Sequence, residues 1–430
     1  MASPFQYLFS PLKIGPVVVR NRIFTPPYRT QLIEDEARGW WDRLAHFHAE
    51  RAKGGVGLII MSEVSGHAIG AMATLDERHV PHLSKVPEMV HAHGGKIFQL
   101  IHNSGRQSRT PVSHLPAWAP SPLRGPGALD VPHEMDLDDI RTMVGCYAST
   151  AKIIKEAGYD GIELQGSHGF LIGSFLSPAS NKRSDEYGGD IANRMRFLDE
   201  ILEAIREEIG QELALGVSIS VDELNPEGLQ IAETTEMATR LEAGGLIDYL
   251  TARIGDAAAN PIWIGDMQIP PGAATYLAAE LKRVVQLPVL TVLRIKDPYH
   301  AEQILADGQA GMVGMGRATL CDPELANKAQ EGRAEDIRYC ISCNQGCHAR
   351  GRMNLNIECI LNPAAGLERQ YGIGKISRAS QRKKVVVIGG GPAGLKAAEM
   401  AAVRGHPVTL LEQGEELGGQ ILLASRLPGR

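Results

Sequence analysis

Cysteine is sparse in this chain: six among 430 residues, too few for a disulfide scaffold to organise a protein of this length. Neither sign of charge dominates. The 44 Lys and Arg against 50 Asp and Glu leave a formal charge of -6, which excludes a broad electrostatic footprint for nucleic acid or for an anionic membrane. Long apolar runs are missing too. The most apolar stretch, Val385 to Val403, is broken by Lys396 and Glu399, and the N-terminal MASPFQYLFSPLK has neither the basic flank nor the apolar core of a secretory leader. With no signal peptide and no membrane span read, a cytoplasmic location and small or neutral partners are expected. Glycine, by contrast, is plentiful. There are 47, about 11% of the chain against a usual ~7%, which implies many tight turns. The length allows two or three domains at ~150 residues each, although a barrel absorbs about 250 in one piece.

From Asn21 to Arg317, short β-rich runs alternate with amphipathic stretches that end in glycine, the pattern of a parallel sheet covered by crossover helices. Eight strands are predicted: 22–26, 56–61, 96–101, 161–164, 213–220, 247–252, 288–293 and 311–315. That number points to a closed (β/α)8 TIM barrel, with an open doubly wound sheet as the alternative. Two long connections, Asn103 to Asp138 and Gly255 to Gly272, follow strands three and six. In a barrel both lie at the C-terminal mouth, where substrates bind.

Beyond the barrel the few cysteines crowd together as Cys340-x2-Cys343-x3-Cys347-x11-Cys359. Four thiolates fall within twenty residues, three of them closely enough to wrap one metal centre. Paired C-x2-C knuckles are typical of zinc, whereas x2 and x3 spacing with a distant fourth cysteine before Pro363 better suits a [4Fe–4S] cubane. Zinc and unliganded thiols remain the alternatives, and His348 is a substitute ligand or simply a hydrogen-bonding neighbour. Cys146 and Cys321 read as small core residues. A cluster passes single electrons, so a two-electron carrier such as a flavin is expected beside it.

After the polar linker QYGIGKISRASQRKK, the sequence VVVIGGGPAGLKAAEMAAVRGHPVTLLEQ reads strand, glycine-rich turn, helix, strand. Gly389 permits the turn, Gly391 admits a pyrophosphate, and Gly394 lets helix and strand approach, while Glu412 ends the second strand and can accept from ribose hydroxyls. A structural tight turn is the plainer alternative, and the spacing does not separate FAD from NAD. The expected division is a barrel at 1–330, a cluster segment and linker at 331–380, and the start of a Rossmann-like dinucleotide-binding domain at 381–430. Because that last unit stops after two strands, the chain is expected to be part of a longer protein.

In this order, NRIFTPP (21–27), QLIHNSGRQ (99–107), GIELQGSHGFLIGSFLSPASNKRSDEYGG (161–189), GMVGMGRATLCDP (311–323), the four cysteines and LNPAAG make the chain resemble the iron–sulfur members of the Old Yellow Enzyme family. That group contains 2,4-dienoyl-CoA reductase, trimethylamine dehydrogenase and N-demethylating enzymes. The resemblance implies FMN at the barrel mouth, a [4Fe–4S] cluster beside it, and C-terminal domains for FAD and NAD(P)H. It places Pro26 at the flavin border, Gln99 on the pyrimidine edge, and Arg294, Gly314, Gly316 and Arg317 on the phosphate side. The last group also follows from the residues, since Gly314-x-Gly316 lies at the eighth strand and arginine binds phosphate in bidentate fashion.

Gln165 and His168 match the family's two polar substrate anchors, and as a pair they are expected to donate hydrogen bonds to a substrate carbonyl. His102, Asn103 and Arg106 are further mouth candidates. Trp263, Tyr28 and Tyr249 are candidates for an aromatic lining. Three positions depart from the family. Phe170 stands where a proton-donating Tyr is common, Ser218 where a fifth-strand Arg supports reduced flavin, and Leu293 where strand seven usually has Gly. The preferred reaction is reduction of an activated C=C bond, with electrons passing from NAD(P)H through FAD and the cluster to FMN. Asp266 is the candidate proton donor. Amine or N-methyl oxidation is the main alternative, and a non-catalytic electron-transfer subunit the other. Beyond a small organic substrate, an electron-transfer protein or a second copy of the chain is the expected partner.

Overall fold

The computed structural model describes residues 4–33, 41–65, 73–108, 115–126, 128–256 and 262–426. Residues 109–114, 127 and 257–261 of the two long connections therefore lie outside the described residues. The chain divides into two compact units, Met1–Gly366 and Leu367–Arg430. The segment 331–380 is split between them, and its part up to Gly366 packs into the first unit.

Eight parallel strands form the core of that unit: β1 (Ile23–Thr25), β2 (Leu58–Ser65), β3 (Lys96–His102), β4 (Gly161–Gly166), β5 (Ala214–Asp222), β6 (Tyr249–Ile254), β7 (Val289–Thr291) and β8 (Met312–Gly314). Each pairs with the next, and β8 returns to β1 through Val313–Ile23 and Gly314–Phe24. The sheet is thus a closed barrel, not an open doubly wound sheet. Strands covered on both faces need apolar residues at successive positions, which is why they read as continuous runs. In β3, Phe98 and Leu100 join Phe24, Leu58, Ile60 and Tyr249 in the barrel interior, while Ile97 and Ile101 pack outward. A hairpin of Leu12–Ile14 and Val17–Val19 adds Ile14, Val17 and Val19 to the interior. Its turn residue Gly15 (φ +54°) sits against Asp248, just before β6, so the hairpin closes the N-terminal end.

The main covering helices are α1 (Asp42–Lys53), α2 (Lys85–His91), α3 (Leu137–Glu156), α4 (Ile191–Ile209), α5 (Ile231–Gly244), α6 (Thr275–Val284) and α7 (Pro298–Ala306). The Asp136 carboxylate caps α3 by accepting from the Asp138 and Asp139 amides, and Asp190 caps α4 through the Asn193 amide; such caps are worth ~1 kcal/mol each. At the C-terminal mouth, His168 and Asp256 form an isolated parallel bridge just past β4 and β6. It passes over β5, whose register shifts between Ser220 and Asp222.

The second unit is a parallel β-α-β arrangement of β9 (Val385–Ile388), α8 (Pro392–Val403) and β10 (Val408–Leu411). Gly389 turns the chain at φ +98°. A Cβ at Gly394 would lie 1.9 Å from the Gly389 carbonyl oxygen, so close approach of helix and turn requires glycine there. Ile388 is 86% exposed. Among the described residues no helix is long and apolar enough to cross a membrane.

Candidate active site

A cavity of about 830 Å³ opens at the barrel mouth, within the range of sites that enclose a cofactor or drug-sized ligand. Pro26, Gln165, His168, Gly314, Gly316, Arg294 and Arg317 all border it, as expected, and so do Tyr28, His102, Phe170 and Trp263. Several expected residues are elsewhere. Asp266 is not part of the lining, and its carboxylate accepts from the Gln268 amide at 2.9 Å. Tyr249 points into the barrel, 5.6 Å from Phe98 between ring centroids. Asn103 is buried and spent on the Gly105 amide, and Arg106 is absent from the lining. Gln99 is also outside it. Its Nε2 donates to the Met61 and Leu100 carbonyls, while its buried Oε1 has no hydrogen-bond partner.

His168 sits at φ +59°, held from three sides. Its amide donates to Ser220 Oγ at 2.9 Å, its carbonyl accepts from Gln107 Nε2 at 2.6 Å, and its Nδ1 lies 3.1 Å from the Gly255 carbonyl oxygen. A carbonyl only accepts, so Nδ1 carries the proton and Nε2 offers a lone pair. Burial, reinforced by Arg253, holds the ring down to about 3. His168 is therefore neutral and, on its free side, a hydrogen-bond acceptor. The donor role expected from the sequence needs the other tautomer or the protonated ring. Trp263 lies against it, with ring centroids 4.6 Å apart and the planes tilted by 43°. Gln165 is similarly committed: Ser218 Oγ donates to its Oε1 at 3.0 Å, and its Nε2 donates to Ser167 Oγ at 3.1 Å. Ser218, in place of the family's arginine, thus orients Gln165. Phe170 meets His102 edge-on at 4.5 Å and brings no proton to the cavity wall.

Burial, and after it the neighbouring Arg317, lowers the pKa of Arg294 from its ordinary value. Neither forms an ion pair with a carboxylate among the described residues. Arg294 donates to the Ile269 carbonyl and, at 3.0 Å, to that of Met267; Arg317 donates to the Gly265 carbonyl and to Asn344 Oδ1, both at 2.6 Å. The Asp266 carboxylate acts on Arg294 only from beyond ion-pair contact, and two adjoining cations with no carboxylate in contact suit a phosphate. Glycine keeps this wall thin, since a Cβ at Gly316 would lie 2.9 Å from Pro26 Cγ. The arginine pair and the cavity's size together fit FMN, while Gln99 lies outside the lining with its Oε1 unpartnered. Leu293, at φ +93°, occupies a conformation suited to glycine, so its replacement of the family's Gly stores strain beside Arg294.

The same wall continues into the cysteine stretch, where Cys340 and Cys347 border the cavity. All four cysteines are unpaired and partly buried. Ser342 and Asn344, at φ +56° and +58°, bend the loop tightly, and the Ser342 amide donates to Cys340 Sγ at 3.3 Å. Gly346 accepts from the Glu358 amide at 2.7 Å, and a Cβ there would lie 2.8 Å from the Glu358 oxygen. Glycine therefore brings the loop against Cys359. Burial, together with the neighbouring thiols, pushes Cys340 up and Cys347 up to about 11. Such a crowd of thiols is the donor set of a soft metal centre. No three His, Cys, Asp or Glu side chains among the described residues stand at the spacing that holds a single metal ion. Cys321 is buried but is more than core, because its thiol donates toward Cys359 and holds it below the ordinary thiol range.

In the second unit, Glu412 Oε2 accepts from the Gly390 amide at 2.5 Å and Oε1 from the Gly414 amide at 2.8 Å. These bonds keep its carboxylate ionised and tie it into the turn of Gly389, Gly391 and Gly394.

The first unit has the build of a barrel oxidoreductase with a site for a phosphorylated cofactor at its mouth. Residues 7–336 match the NADH:flavin oxidoreductase / NADH oxidase family. The chain belongs to that family, and with it to the flavin-dependent oxidoreductases related to Old Yellow Enzyme. Residues 384–426 match the FAD dependent oxidoreductase family. The chain is 40% identical to NADH oxidase of Thermoanaerobacter brockii, over 99% of this chain and 66% of that protein. It is 36% identical to N,N-dimethylglycine/sarcosine dehydrogenase of Chromohalobacter salexigens, over 99% of this chain and 63% of that one. It thus spans about two thirds of the length of the curated relatives it matches. The structure of a 2-naphthoyl-CoA reductase complex superposes with a TM-score of 0.93 at 30% identity, covering 99% of this chain and 67% of that one.

Sequence reasoning missed Glu163, Ser220 and Arg253. The first and last had a signal: each is charged at an inward position of a barrel strand, where apolar residues are the rule.

Proposed function

We propose that this chain oxidises an amine or an N-methyl carbon at an FMN held in the barrel mouth. The observation that carries the reading is the orientation of His168. A lone pair at Nε2 accepts an N–H from a neutral secondary amine, or from the water that attacks the imine product, and so orients the reacting C–H. Trp263, packed at a tilt against His168, offers an aromatic surface to the positive charge that grows on nitrogen as hydride leaves the carbon. Phe170 withholds a proton, which an oxidation does not need. FMN, when bound, supplies the two-electron acceptor. Gln99, Pro26, Gly314, Gly316, Arg294 and Arg317 are the residues assigned to hold it. Cys340, Cys343, Cys347 and Cys359 are assigned to a [4Fe–4S] cluster, which when bound supplies a one-electron exit. Gly389, Gly391, Gly394 and Glu412 are assigned to FAD, a reading supported by the family match over 384–426. The domain assignment follows: FMN barrel 1–330, cluster segment and linker 331–380, dinucleotide unit 381–430.

One observation favours the opposite direction, reduction of an activated C=C bond with NAD(P)H electrons. Gln165 keeps one amide hydrogen unspent, enough to donate to a substrate carbonyl. Anaerobic mixing separates the two. A secondary or tertiary amine added to the oxidised protein should bleach the flavin band, and an enone added to photoreduced protein should restore it only slowly. Rapid reoxidation by the enone with no bleaching by amines would overturn the oxidation reading in favour of the reductase. Silence with both classes, at full flavin loading, would leave an electron carrier.

A further inference from the structure

A charge inside a barrel loses its water, so inward positions of barrel strands are apolar unless something repays the loss. Two inward positions here are charged. Glu163 on β4 is fully buried; Thr251 Oγ1 donates to its Oε2 at 2.5 Å, and Arg253 Nη2 lies 3.6 Å from its Oε1. Arg253 stands on β6 beside Ser220 of β5, its side chain 12% exposed and bordering the cavity.

The other cavity cations are differently placed. Arg294 and Arg317 hold loop carbonyls and the cysteine segment, while Arg29 and Arg352 are exposed and Lys296 follows β7. Among the described lining residues, Arg253 is the cation that projects from a barrel strand. Its contact with Glu163 is an ion pair too long for a hydrogen bond, and its Nε has no hydrogen-bond partner. A loosely joined buried pair does not recover its desolvation cost by itself. Negative charge arising on the cavity side would recover it. The inward positions of β5 alongside are Ser220, opposite Arg253, and Ser218, opposite Thr251; both are uncharged, so no cation from that strand competes for the role.

We propose that Arg253, anchored from below by Glu163, is the fixed positive charge that stabilises the reduced, anionic form of the flavin in this cavity. This rests on the assignment of FMN to the cavity. Reduction adds two electrons and one proton to the ring, leaving one negative charge on the flavin, and a guanidinium held in low dielectric lowers the free energy of that state.

The test is a redox titration of the FMN-loaded protein, with sulfite affinity as a second readout, because sulfite adds to oxidised flavin and leaves a negative charge on the ring. Arg253→Met should shift the two-electron equilibrium at least tenfold toward oxidised flavin, about 30 mV more negative, and weaken sulfite binding in parallel. Arg253→Lys should retain most of both. Glu163→Gln, which frees the guanidinium from its carboxylate, should move the potential the other way. An unchanged potential and sulfite affinity in Arg253→Met with FMN fully bound would overturn the proposal while leaving the FMN assignment intact. A wild-type protein that takes up no FMN would overturn both.

Discussion

Replacing His168 with asparagine should slow flavin reduction by a secondary amine about a hundredfold, the scale of losing one oriented hydrogen bond at the reacting centre. The same change should leave the reaction of an enone with reduced protein largely intact. Asparagine tolerates the left-handed backbone at this position, φ +59°, better than most residues do, so the fold is spared. Its carboxamide can donate where neutral His168 accepts, so the amine half-reaction is impaired while the enone half-reaction is not. The pH dependence follows from the same geometry. With burial holding His168 down to about 3, its acceptor form is complete at every pH well above that value. No acid limb from His168 should appear between about pH 5 and 8. A rise in rate with pH in that window belongs to the substrate, whose neutral form is the one that gives up hydride. Stopped-flow traces of both half-reactions over pH check the point, and equal losses in both would mean that His168 donates to a carbonyl after all.

The double change Arg294→Met with Arg317→Met should yield a protein purified without FMN, its affinity weaker by a hundredfold or more. Each charge-assisted hydrogen bond to phosphate is worth about 1.5–3 kcal/mol, and the loss is not expected to be additive, because the two guanidiniums adjoin. They also join the 265–269 carbonyls to Ser342 and Asn344, so the variant should lose order in the cysteine loop as well. Lysine at both positions keeps the charge but not the planar fork and should fall between. Full FMN occupancy in the Met variant, measured by fluorescence after denaturation, would assign the phosphate elsewhere.

All eight barrel strands were legible in the sequence because both of their faces are covered, and a run such as VGLIIM or KIFQLI has no solvent side to interrupt it. Closure was not legible. It depends on β8 returning to β1 across about 290 residues, a pairing with no local signature. Of the cavity residues nearest strand ends, His168 and Gly316 are legible because a barrel mouth is where strands stop, whereas Pro26 and Gln165 rest on the family resemblance. Their chemistry was harder to read. Whether His168 donates or accepts is decided by the Gly255 carbonyl, carried to it from the end of β6 by the His168–Asp256 bridge. Asp266 looked like an acid in a mouth loop, but its carboxylate is used by the turn it belongs to. Tyr249 alternates inward with Thr251 and Arg253, which placed it in the barrel and not on the cavity wall. Cys321 reads as an ordinary core residue until the chain brings Cys359 against it from 38 positions away.

On the proposed assignment, the arginine-flanked cavity and the thiol-rich loop form one redox site, with FMN on one side of the wall and a [4Fe–4S] cluster on the other. Iron, acid-labile sulfide and FMN measured on a single anaerobically purified sample test it most directly. About four iron and about four sulfide for each FMN are expected. Zinc in place of iron, with no sulfide, would contradict the claim.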